Sequence, residues 1–248
     1  MAESSRHFVY GLHAVRAVLE RSPERILELM LIASREDTRM ALLRQQGEKL
    51  GLRVQPATNE SLVKLVGDVS HQGTVAVVRP LHPLDEAALM ALLKGIEGDA
   101  LLLVLDGVTD PHNLGACLRS ADAAGAHALI IPKDRSASVD GVVRKVAAGA
   151  AEFVPVASVT NLARVLDRLK ERGIWVVGTD GTAPQSIHGA DLKRPLALVL
   201  GAEGAGMRRL TRDRCDFLVR IPMAGSVESL NVSVAAGVAL FEARRQRI

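Results

Sequence analysis

The chain has very few aromatic residues, which make up 2% of its 248 residues. They are Phe8, Tyr10, Phe153, Trp175, Phe217 and Phe241. Proteins that bind single-stranded nucleic acid usually stack bases on aromatic side chains, so this scarcity argues against an extended stacking surface. If the chain has a polyanionic partner, we expect recognition through charge and shape. The core must be aliphatic.

Cysteine is also scarce, and neither Cys117 nor Cys215 belongs to a CxxC or Cys/His cluster. A structural disulfide and a zinc site are therefore not expected, and a reducing cytoplasm is the natural compartment. The first residues lack the basic and apolar runs of a secretory signal. No stretch reaches about 18 consecutive apolar residues, so we expect no membrane span.

Neither sign of charge dominates, because 31 Lys and Arg residues stand against 28 Asp and Glu residues, a net charge of +3. This mildly basic balance is compatible with a nucleic-acid partner but does not establish one. Two local clusters of arginine stand out. Solvated helix faces and phosphate-binding sites both explain such clusters, and the sequence leaves the two readings open. The clusters are Arg208, Arg209, Arg212 and Arg214, and Arg244, Arg245 and Arg247.

The first eighty residues alternate short helices and strands. Their apolar periodicity predicts helices at Gly11–Glu20, Arg35–Leu50 and Asn59–Val66, and strands at Ile26–Ile32, Arg53–Gln55 and Thr74–Val78. This βαβ-like rhythm predicts a small α/β sandwich. Two prolines interrupt Arg79–Pro83, so we expect a first domain at residues 1–79 and a linker at 80–98 with a short helix at Asp85–Lys94.

A second domain at residues 99–248 opens with Leu101–Leu105, a continuous apolar run suited to the middle of a parallel sheet. Further strands are predicted at Ala128–Ile131, Phe153–Val156, Ile174–Val177, Leu196–Leu200 and Phe217–Ile221. Helices are predicted between most of them, at Leu114–Ala124, Val139–Ala148 and Leu162–Glu171. This alternation predicts an α/β domain with a mostly parallel sheet and helices on both faces.

The segment after the first strand of the second domain combines polar residues with a helix. It lies at the carboxyl end of a strand, where open α/β sheets bind ligands. Asn113 is a candidate helix cap, and Arg119 falls among apolar residues of a helix that should be mostly buried. A buried guanidinium needs a partner. That partner is either an anionic ligand or a carboxylate, the candidates being Asp106, Asp110 and Asp122.

A strand at Leu198–Leu200 runs into a glycine-rich loop that ends near Met207. Such loops let backbone N–H groups approach a ligand closely. No Lys-Ser/Thr pair follows the glycines, which excludes a Walker phosphate loop. The loop also comes too late in its domain for a Rossmann dinucleotide site. Glu203 within it is a candidate to bind a ligand, cap a helix or pair with Arg119.

The third polar segment is Ile221–Gly237, which turns through Gly225 and Ser226 and then begins a helix with Ser229 and Asn231. Ser and Asn suit a helix start because their side-chain oxygens accept from unpaired backbone N–H groups. An ordinary cap and a functional site both fit this segment alone. Three strand-to-loop junctions, near residues 106, 201 and 222, thus carry glycine and polar residues. Because a parallel sheet places such junctions at one edge, we expect them to converge.

These three segments resemble the three ordered motifs of the SpoU family of RNA ribose methyltransferases, in the SPOUT superfamily. The matching residues are Asn113-x5-Arg119, Leu200-Gly-x-Glu-Gly-x-Gly206 and Ile221-Pro-Met-x6-Ser-Leu-Asn-Val-Ser233. The resemblance spans roughly residues 99–247. Nearer the N-terminus, Tyr10-Gly-Leu-His-Ala-Val and His71-Gln-Gly73 resemble the substrate-binding domain of the branch that methylates a guanosine ribose in bacterial 23S rRNA.

The resemblance implies an L30e-like first domain and a second domain with a deep trefoil knot. It implies S-adenosylmethionine as the cofactor, 23S rRNA as the RNA substrate, no metal, and a homodimer with its active site near the dimer interface. The cofactor would be held largely through backbone groups of Gly201, Ile221 and Leu230, with Thr179 and Gly181 as further contacts.

The resemblance also implies catalytic roles for Arg119, Asn113, Glu203, Ser229 and Asn231. An arginine rarely gives up its proton, so we expect Arg119 to hold a phosphate or stabilise the developing alkoxide. Ser229 and Asn231 would orient the ribose or Arg119, and Asn113 and Glu203 would position the groups around them.

Three alternatives remain open at this point. One is methylation of tRNA or of another rRNA site, and a second is a non-catalytic RNA-binding protein of the same fold. A dinucleotide oxidoreductase is the third, and the late position of the glycine loop argues against it.

Overall fold

The computed structural model describes residues 7–33 and 37–248, and the chain divides into two compact units, Met1–Leu81 and His82–Ile248. None of the helices in this described part is long and apolar enough to cross a membrane.

Within residues 7–33 and 37–81, the first unit contains a four-stranded mixed sheet and three α-helices. Its elements are β1 (His7–Tyr10), α1 (Leu12–Arg21), β2 (Ile26–Ile32), α2 (Thr38–Lys49), β3 (Val54–Ala57), α3 (Asn59–Val66) and β4 (Thr74–Val78), with a 3₁₀ turn at Pro23–Arg25. The strand order is β1-β4-β2-β3, in which β2 and β3 are parallel and the other pairs are antiparallel. The predicted bounds of β2, α3 and β4 are confirmed. The predicted start of the second helix, Arg35, lies outside the described residues.

The helices of the first unit cover both faces of its sheet. On one face, Leu62 of α3 packs near Met30 and Ile32 of β2. On the other face, Gly47 of α2 lies so close to Leu29 that a Cβ there would be 3.0 Å from the leucine side chain. Helix α1 contacts α2 on that second face. The two helices therefore lie side by side on the outside of the unit.

The two short motifs of the first unit meet at the start of α1. Gln72 has a left-handed φ of 53°, and its Oε1 accepts a hydrogen bond from the backbone N–H of Leu12 at 3.1 Å. Gly73, with a φ of 78°, packs where a Cβ would be 2.6 Å from Ile32. Gly11 is the N-cap residue of α1, but it has no side chain that could accept a hydrogen bond from the first turn. Gln72 of the motif His71-Gln-Gly73 provides this hydrogen bond from a distant part of the chain.

The second unit is built around one long parallel sheet. Its elements are α4 (Glu86–Lys94), β5 (Leu101–Asp106), α5 (Pro111–Ala124), β6 (Ala128–Pro132), α6 (Gly141–Val146), β7 (Val156–Val159), α7 (Leu162–Lys170), β8 (Trp175–Thr179), β9 (Gln185–Ser186), β10 (Leu196–Gly201), α8 (Arg209–Arg212), β11 (Phe217–Arg220) and α9 (Val232–Gln246), with 3₁₀ turns at Ala150–Glu152 and Ile187–Gly189. The strand order is β7-β6-β5-β10-β8-β11-β9, and every neighbouring pair is parallel.

The sheet is covered on both faces, as the alternation predicts. Helices α5, α6 and α9 pack on the side of Leu101, Leu103 and Leu105, while α4 and α7 pack on the side of Leu102 and Val104. Because both sides of β5 are buried, its first five residues are apolar, and the only polar one is Asp106 at its end.

Several boundaries in the second unit differ from the predictions, and two of the differences have a clear local cause. The strand predicted at Phe153–Val156 is wrong, since β7 begins only at Val156. Pro155 stands just before it and has no N–H to give to the sheet, while the preceding residues form a 3₁₀ turn. Helix α6 is shorter than Val139–Ala148 because Asp140 caps it, accepting hydrogen bonds from the N–H groups of Val142 and Val143.

The C-terminal arginines are mostly engaged within the fold. Arg247 donates to backbone carbonyls of Leu192, Arg194 and Ala100, which fixes the end of α9 against neighbouring loops. Hydrogen bonds, chiefly from Arg245, lower the pKa of the Glu242 carboxyl to about 2. For Arg245 and Arg247, the C-terminal cluster is therefore explained by intramolecular pairing, and a phosphate site is not needed to account for it.

Helices α5 and α6 approach each other closely at Gly115. A Cβ on Gly115 would be 2.7 Å from Cβ of Val146 and 2.9 Å from the carbonyl oxygen of Val143. These neighbours are backbone or β-branched and have little freedom to move. Glycine at this position is therefore required by packing, independently of any role in binding.

We predict that Gly115→Ala lowers the free energy of unfolding by about 1–3 kcal/mol, because the added methyl group must push α5 and α6 apart. Chemical denaturation measures this change. Gly141→Ala is the matched control, since a Cβ on Gly141 meets nothing within 4 Å. Equal stability of the two variants would contradict the packing role of Gly115.

Candidate active site

Three loops of the second unit meet at the carboxyl edge of the sheet, as expected from the sequence. Asp106 at the end of β5 lies directly beside Gly201 at the end of β10. From these strand ends the chain leads to Asn113 on α5 and to Glu203 in the glycine loop, defined here as Ala202–Met207. The third loop follows β11 and brings Asn231 to the same place. One polar side chain from each motif, namely Asn113, Glu203 and Asn231, is therefore in contact with the other two.

The contacts centre on one oxygen atom, Oε1 of Glu203. It accepts hydrogen bonds from Nδ2 of Asn231 at 2.5 Å, from Nδ2 of Asn113 at 3.2 Å and from the backbone N–H of Val232 at 3.3 Å. Asn231 Nδ2 also donates to Oδ1 of Asn113 at 2.9 Å. We call Asn113, Glu203 and Asn231 the polar triad. Its members hold one another in fixed orientations.

The two asparagines occupy different places in their helices. Asn231 is the N-cap of α9, and its Oδ1 accepts from the N–H of Ser233 at 2.9 Å, so it both caps the helix and joins the triad. The prediction that Asn113 caps its helix is wrong. Asp110 is the cap of α5, because a proline follows it at the first helical position and its carboxylate accepts from the N–H of His112. Asn113 lies inside the first turn, and its side chain contacts Glu203 and Asn231.

Helices α5 and α9 run parallel to each other from the triad. Asn113 and Asn231 meet at their starts, and Ser120 lies within 3.7 Å of where a Cβ of Gly237 would be, about two turns along both helices. Ala236 and Ala239 are fully buried in the same core cluster as α5. The small residues of α9 thus serve packing within the chain.

The glycine loop is a tight turn that folds back onto the strand before it. Ala202 and Gly206 exchange two backbone hydrogen bonds of 3.1 and 2.9 Å. A Cβ on Gly201 would be 2.0 Å from the backbone carbon of Gly206. No side chain fits there, so Gly201 is required for the loop to close.

Asp106 fixes the far end of the glycine loop. Its side chain is buried, and Oδ2 accepts a hydrogen bond from the backbone N–H of Arg208 at 2.8 Å. Oδ1 has no hydrogen-bond partner and lies 3.5 Å from Nε of Arg208. Because Asp106 also neighbours Gly201, one residue touches both ends of the loop that carries Glu203. Asp106, one of the three carboxylates considered as a partner for Arg119, is instead paired with Arg208.

A cleft of about 520 Å³ opens beside the triad, within the range of about 300–1,000 Å³ typical of ligand pockets. We call it the loop cleft, because the glycine loop forms one of its walls. All five residues predicted to bind a cofactor line it, together with Glu203 and Ser229. The predicted residues are Thr179, Gly181, Gly201, Ile221 and Leu230.

Gly181 has no structural reason to be glycine. Its φ is not in the left-handed region, and a Cβ there would meet no atom within 4 Å. Yet it lines the loop cleft. We infer that the absence of a side chain at Gly181 leaves room for a ligand.

The arginine cluster at residues 208–214 is largely paired with carboxylates. Arg212 contacts Asp180 at 3.1 Å, and Arg214 contacts Asp167 at 3.0 Å. Hydrogen bonds from Thr182 and the charge of Arg212 lower the pKa of Asp180, which lines the loop cleft as a carboxylate. Arg209 is almost fully exposed, with Asp213 at 3.8 Å. Of the four arginines, Arg212 is thus the one whose carboxylate partner lines the loop cleft.

Arg119 departs most clearly from its prediction. It is exposed on α5, whereas the sequence places it on a buried face, and it does not line the loop cleft. It makes no hydrogen bond or ion pair with any residue in the described part of the chain. The neighbouring Leu118 and Ala121 are buried, so the helix turns Arg119 away from the core that they face.

The cysteines are poorly suited to nucleophilic chemistry. Burial raises the pKa of the Cys117 thiol to about 12, and burial together with nearby carboxylates does the same for Cys215. A thiol in this state is not ionised at neutral pH. Among residues 7–33 and 37–248, no group of His, Cys, Asp and Glu side chains could hold a metal ion.

Sequence reasoning missed two carboxylates of the site, Asp106 as the loop anchor and Asp180 in the cleft wall. Asp106 carried a usable signal, because it is the one charged residue at the end of a fully buried strand. Asp180 also carried one, because it lies between Thr179 and Gly181, which the resemblance already marked as cofactor contacts, although its carboxylate reaches the cleft only because β8 lies between β10 and β11.

Comparison with known proteins gives a consistent result. The model of the SpoU rRNA methylase family matches residues 100–241, and a model described as RNA 2'-O ribose methyltransferase substrate binding matches residues 8–84. The chain is 58% identical to the 23S rRNA (guanosine-2'-O-)-methyltransferase RlmB of Ralstonia nicotianae, over 98% of this chain and 97% of that protein. It is 56% identical to the protein of the same name from Pectobacterium atrosepticum, over 96% of this chain and 98% of that protein.

Solved structures agree with this match. The crystal structure of the SpoU methyltransferase AviRb from Streptomyces viridochromogenes in complex with AdoMet superimposes with a TM-score of 0.75 at 29% identity. The alignment covers 98% of this chain and 90% of that one.

We predict that Asp106→Ala loosens the glycine loop without unfolding the sheet. The amide of Arg208 loses its acceptor and should exchange its hydrogen at least about tenfold faster, while amides of β5 and β10 keep their protection. Hydrogen-exchange mass spectrometry measures both. Asp134→Ala is the control, because its exposed carboxylate contacts none of the described residues. Unchanged exchange at residues 202–208 would show that Asp106 does not anchor the loop.

Proposed function

The chain belongs to the SpoU rRNA methylase family, and on that premise we propose that it transfers a methyl group from S-adenosylmethionine to the ribose 2'-hydroxyl of a guanosine in 23S rRNA. The observation that carries the proposal is the polar triad beside the loop cleft. Three chain segments far apart in sequence place their amide and carboxylate groups at one edge of the cleft. A fold that only needed stability would not require this convergence.

The residues of the loop cleft suit S-adenosylmethionine. Glycine backbone and the apolar side chains of Leu200, Ile221 and Leu230 offer a surface for a flat ring and a ribose. Asp180 and Glu228 add negative charge at the same cleft. When bound, the cofactor supplies a methyl group on a positively charged sulfur, so an acidic lining favours it. Gly201, Ile221, Leu230, Thr179 and Gly181 would hold it.

The polar triad acts through position. Oε1 of Glu203 already accepts three hydrogen bonds, so this oxygen is committed to holding Asn113 and Asn231 in place. Ser229 lines the cleft with a hydroxyl that can meet the substrate ribose. Because transfer needs an in-line approach of the 2'-oxygen, fixed geometry at this edge lowers the barrier.

We assign RNA binding to the first unit and catalysis to the second. The match of residues 8–84 to a substrate-binding model supports the first assignment. In this scheme residues 1–79 form the L30e-like RNA-binding domain, 80–98 the linker and 99–248 the catalytic domain. A protein that modifies ribosomal RNA would act in the cytoplasm.

We further propose that the protein is a homodimer that completes its site across the interface. Val234 and Phe241 are 51% and 50% exposed, and Ile248 is exposed as well. Val234 and Phe241 are seven residues apart and so lie on one stripe of α9, and Ile248 follows just beyond the end of the helix. A stripe of large apolar side chains at the chain surface suits a self-association face. Arg119 is exposed and absent from its own cleft, so a partner's cleft is where it would act.

The trefoil knot stays a prediction. It is supported by the way the glycine loop and the loop after β11 line the same cleft.

We predict that Gly181→Val weakens binding of S-adenosylmethionine at least about tenfold, because the new side chain occupies ligand space, and leaves the melting temperature unchanged. Isothermal titration calorimetry measures the affinity, and transfer of labelled methyl groups to a 23S rRNA transcript measures activity. Gly189→Val is the control, since Gly189 also has open space around its Cβ but does not line the cleft. Wild-type protein that bound no S-adenosylmethionine would contradict the proposed function.

Mixing two inactive variants tests the role of Arg119. Arg119→Ala and Asn231→Ala each disable one contributor to the site. If Arg119 acts across the interface, subunits mixed after dissociation regain about a quarter of wild-type methyl transfer, because half of the dimers are mixed and each has one intact site. No recovery in dimers proven to be mixed would place Arg119 in the site of its own subunit.

A further inference from the structure

A second cleft, of about 570 Å³, lies in the first unit between α1 and α2. It runs along both helices, which span about 15–18 Å at 1.5 Å per residue. We call it the helical groove. Its lining residues are Leu12, His13, Arg16 and Glu20 from α1, and Arg39, Leu42, Leu43, Gln45, Gln46 and Lys49 from α2.

The cations of the helical groove are mostly unpaired. Arg39 and Lys49 make no side-chain hydrogen bond or ion pair with any residue in the described ranges. Only Arg16 is engaged, with Glu20 at 2.7 Å and with both side chains largely exposed. Arg208, Arg212 and Arg214 of the second unit differ from them, because each contacts a carboxylate. The groove therefore keeps positive charge available to an external anion.

The other lining groups favour a nucleic-acid strand over a small anion. Gln45 and Gln46 carry amides that donate and accept hydrogen bonds, and Leu42 is 58% exposed beside them. A groove of this length with cations, amides and an apolar side chain offers separate contacts for phosphates, for 2'-hydroxyls or base edges, and for a sugar. It contains no aromatic residue, so base stacking plays no part.

The motifs at the start of α1 shape one end of the groove. Gln72 fixes the first turn of α1 through the N–H of Leu12, and His13 is the next residue along the helix. The motif Tyr10-Gly-Leu-His-Ala-Val therefore contributes Leu12 and His13 to the groove, and the motif His71-Gln-Gly73 supports these residues through Gln72. Gln72 fixes the helix start, and His13 lines the cleft.

We propose that the helical groove binds the sugar-phosphate backbone of the RNA substrate, with Arg39 and Lys49 as its main phosphate contacts. The inference rests on the proposed function for the nature of the RNA. Charge complementarity and the unpaired state of the two cations carry it. Binding here adds affinity for the RNA from a unit that does not contain the loop cleft, so it leaves the methyl-transfer step itself unchanged.

The test compares two double variants of the full-length protein. Arg39→Gln with Lys49→Gln removes both unpaired cations of the groove. Arg44→Gln with Lys64→Gln removes the same charge from exposed positions of the first unit outside the groove. Affinity for a 23S rRNA transcript is measured by filter binding at several salt concentrations, together with S-adenosylmethionine affinity and the melting temperature.

The groove variant should bind the transcript at least about tenfold more weakly than the control variant. The slope of log affinity against log salt concentration should fall by about 1.4, the equivalent of two phosphate contacts with single-stranded RNA. S-adenosylmethionine affinity and the melting temperature should stay at the wild-type value, and methyl transfer should recover at saturating RNA.

Equal RNA affinity of the two double variants would overturn the proposal, because net charge and not the groove would then set the binding. Unchanged affinity in both variants would overturn it as well, and would leave the groove to a different partner. Neither result touches the proposed function, which fails separately if wild-type protein neither binds nor methylates the transcript.

Discussion

The site depends on one carboxylate oxygen, Oε1 of Glu203, which joins three segments that are far apart in sequence. It holds Asn113 from α5, Asn231 from the start of α9 and the first backbone N–H of α9. Each segment leaves a strand at the same edge of the parallel sheet. If the glycine loop moved by even a hydrogen-bond length, the triad would separate, so the fold must hold Glu203 accurately.

Other parts of the second unit hold Glu203 and the two asparagines in position. Gly201 allows the loop to fold back on its strand, and Asp106 ties the end of the loop to the neighbouring strand. Helices α5 and α9 pack in parallel behind the asparagines, and Gly115 lets α6 support α5 from the other side. The buried Oδ1 of Asp106 has no hydrogen-bond partner among the described residues and lies 3.5 Å from Nε of Arg208, so fixing the loop leaves one buried acceptor without a hydrogen bond.

The sequence predicted much of this architecture because its signals are local. Continuous apolar strands and the glycine turns marked the parallel sheet, and the three polar segments marked its functional edge. Predictions failed where the outcome depends on partners across space. The exposure of Arg119 depends on which face of α5 meets the sheet, and the role of Asp180 depends on strand order. Asn113 was mistaken for a cap because Pro111 moves the helix start three residues earlier, to Asp110.

The basic side chains beside the loop cleft and those of the helical groove differ in whether they are paired with carboxylates. In the second unit Arg212 pairs with Asp180, a residue that lines the loop cleft, whereas Arg39 and Lys49 of the helical groove have no partner among the described residues and are the cations that we propose contact RNA. The most direct test of the account is a map of 2'-O-methylation on 23S rRNA from cells with and without this gene. The account predicts that one guanosine loses its methyl group in the deletion strain and regains it with the wild-type gene but not with Asn231→Ala. An unchanged map in the deletion strain would contradict it.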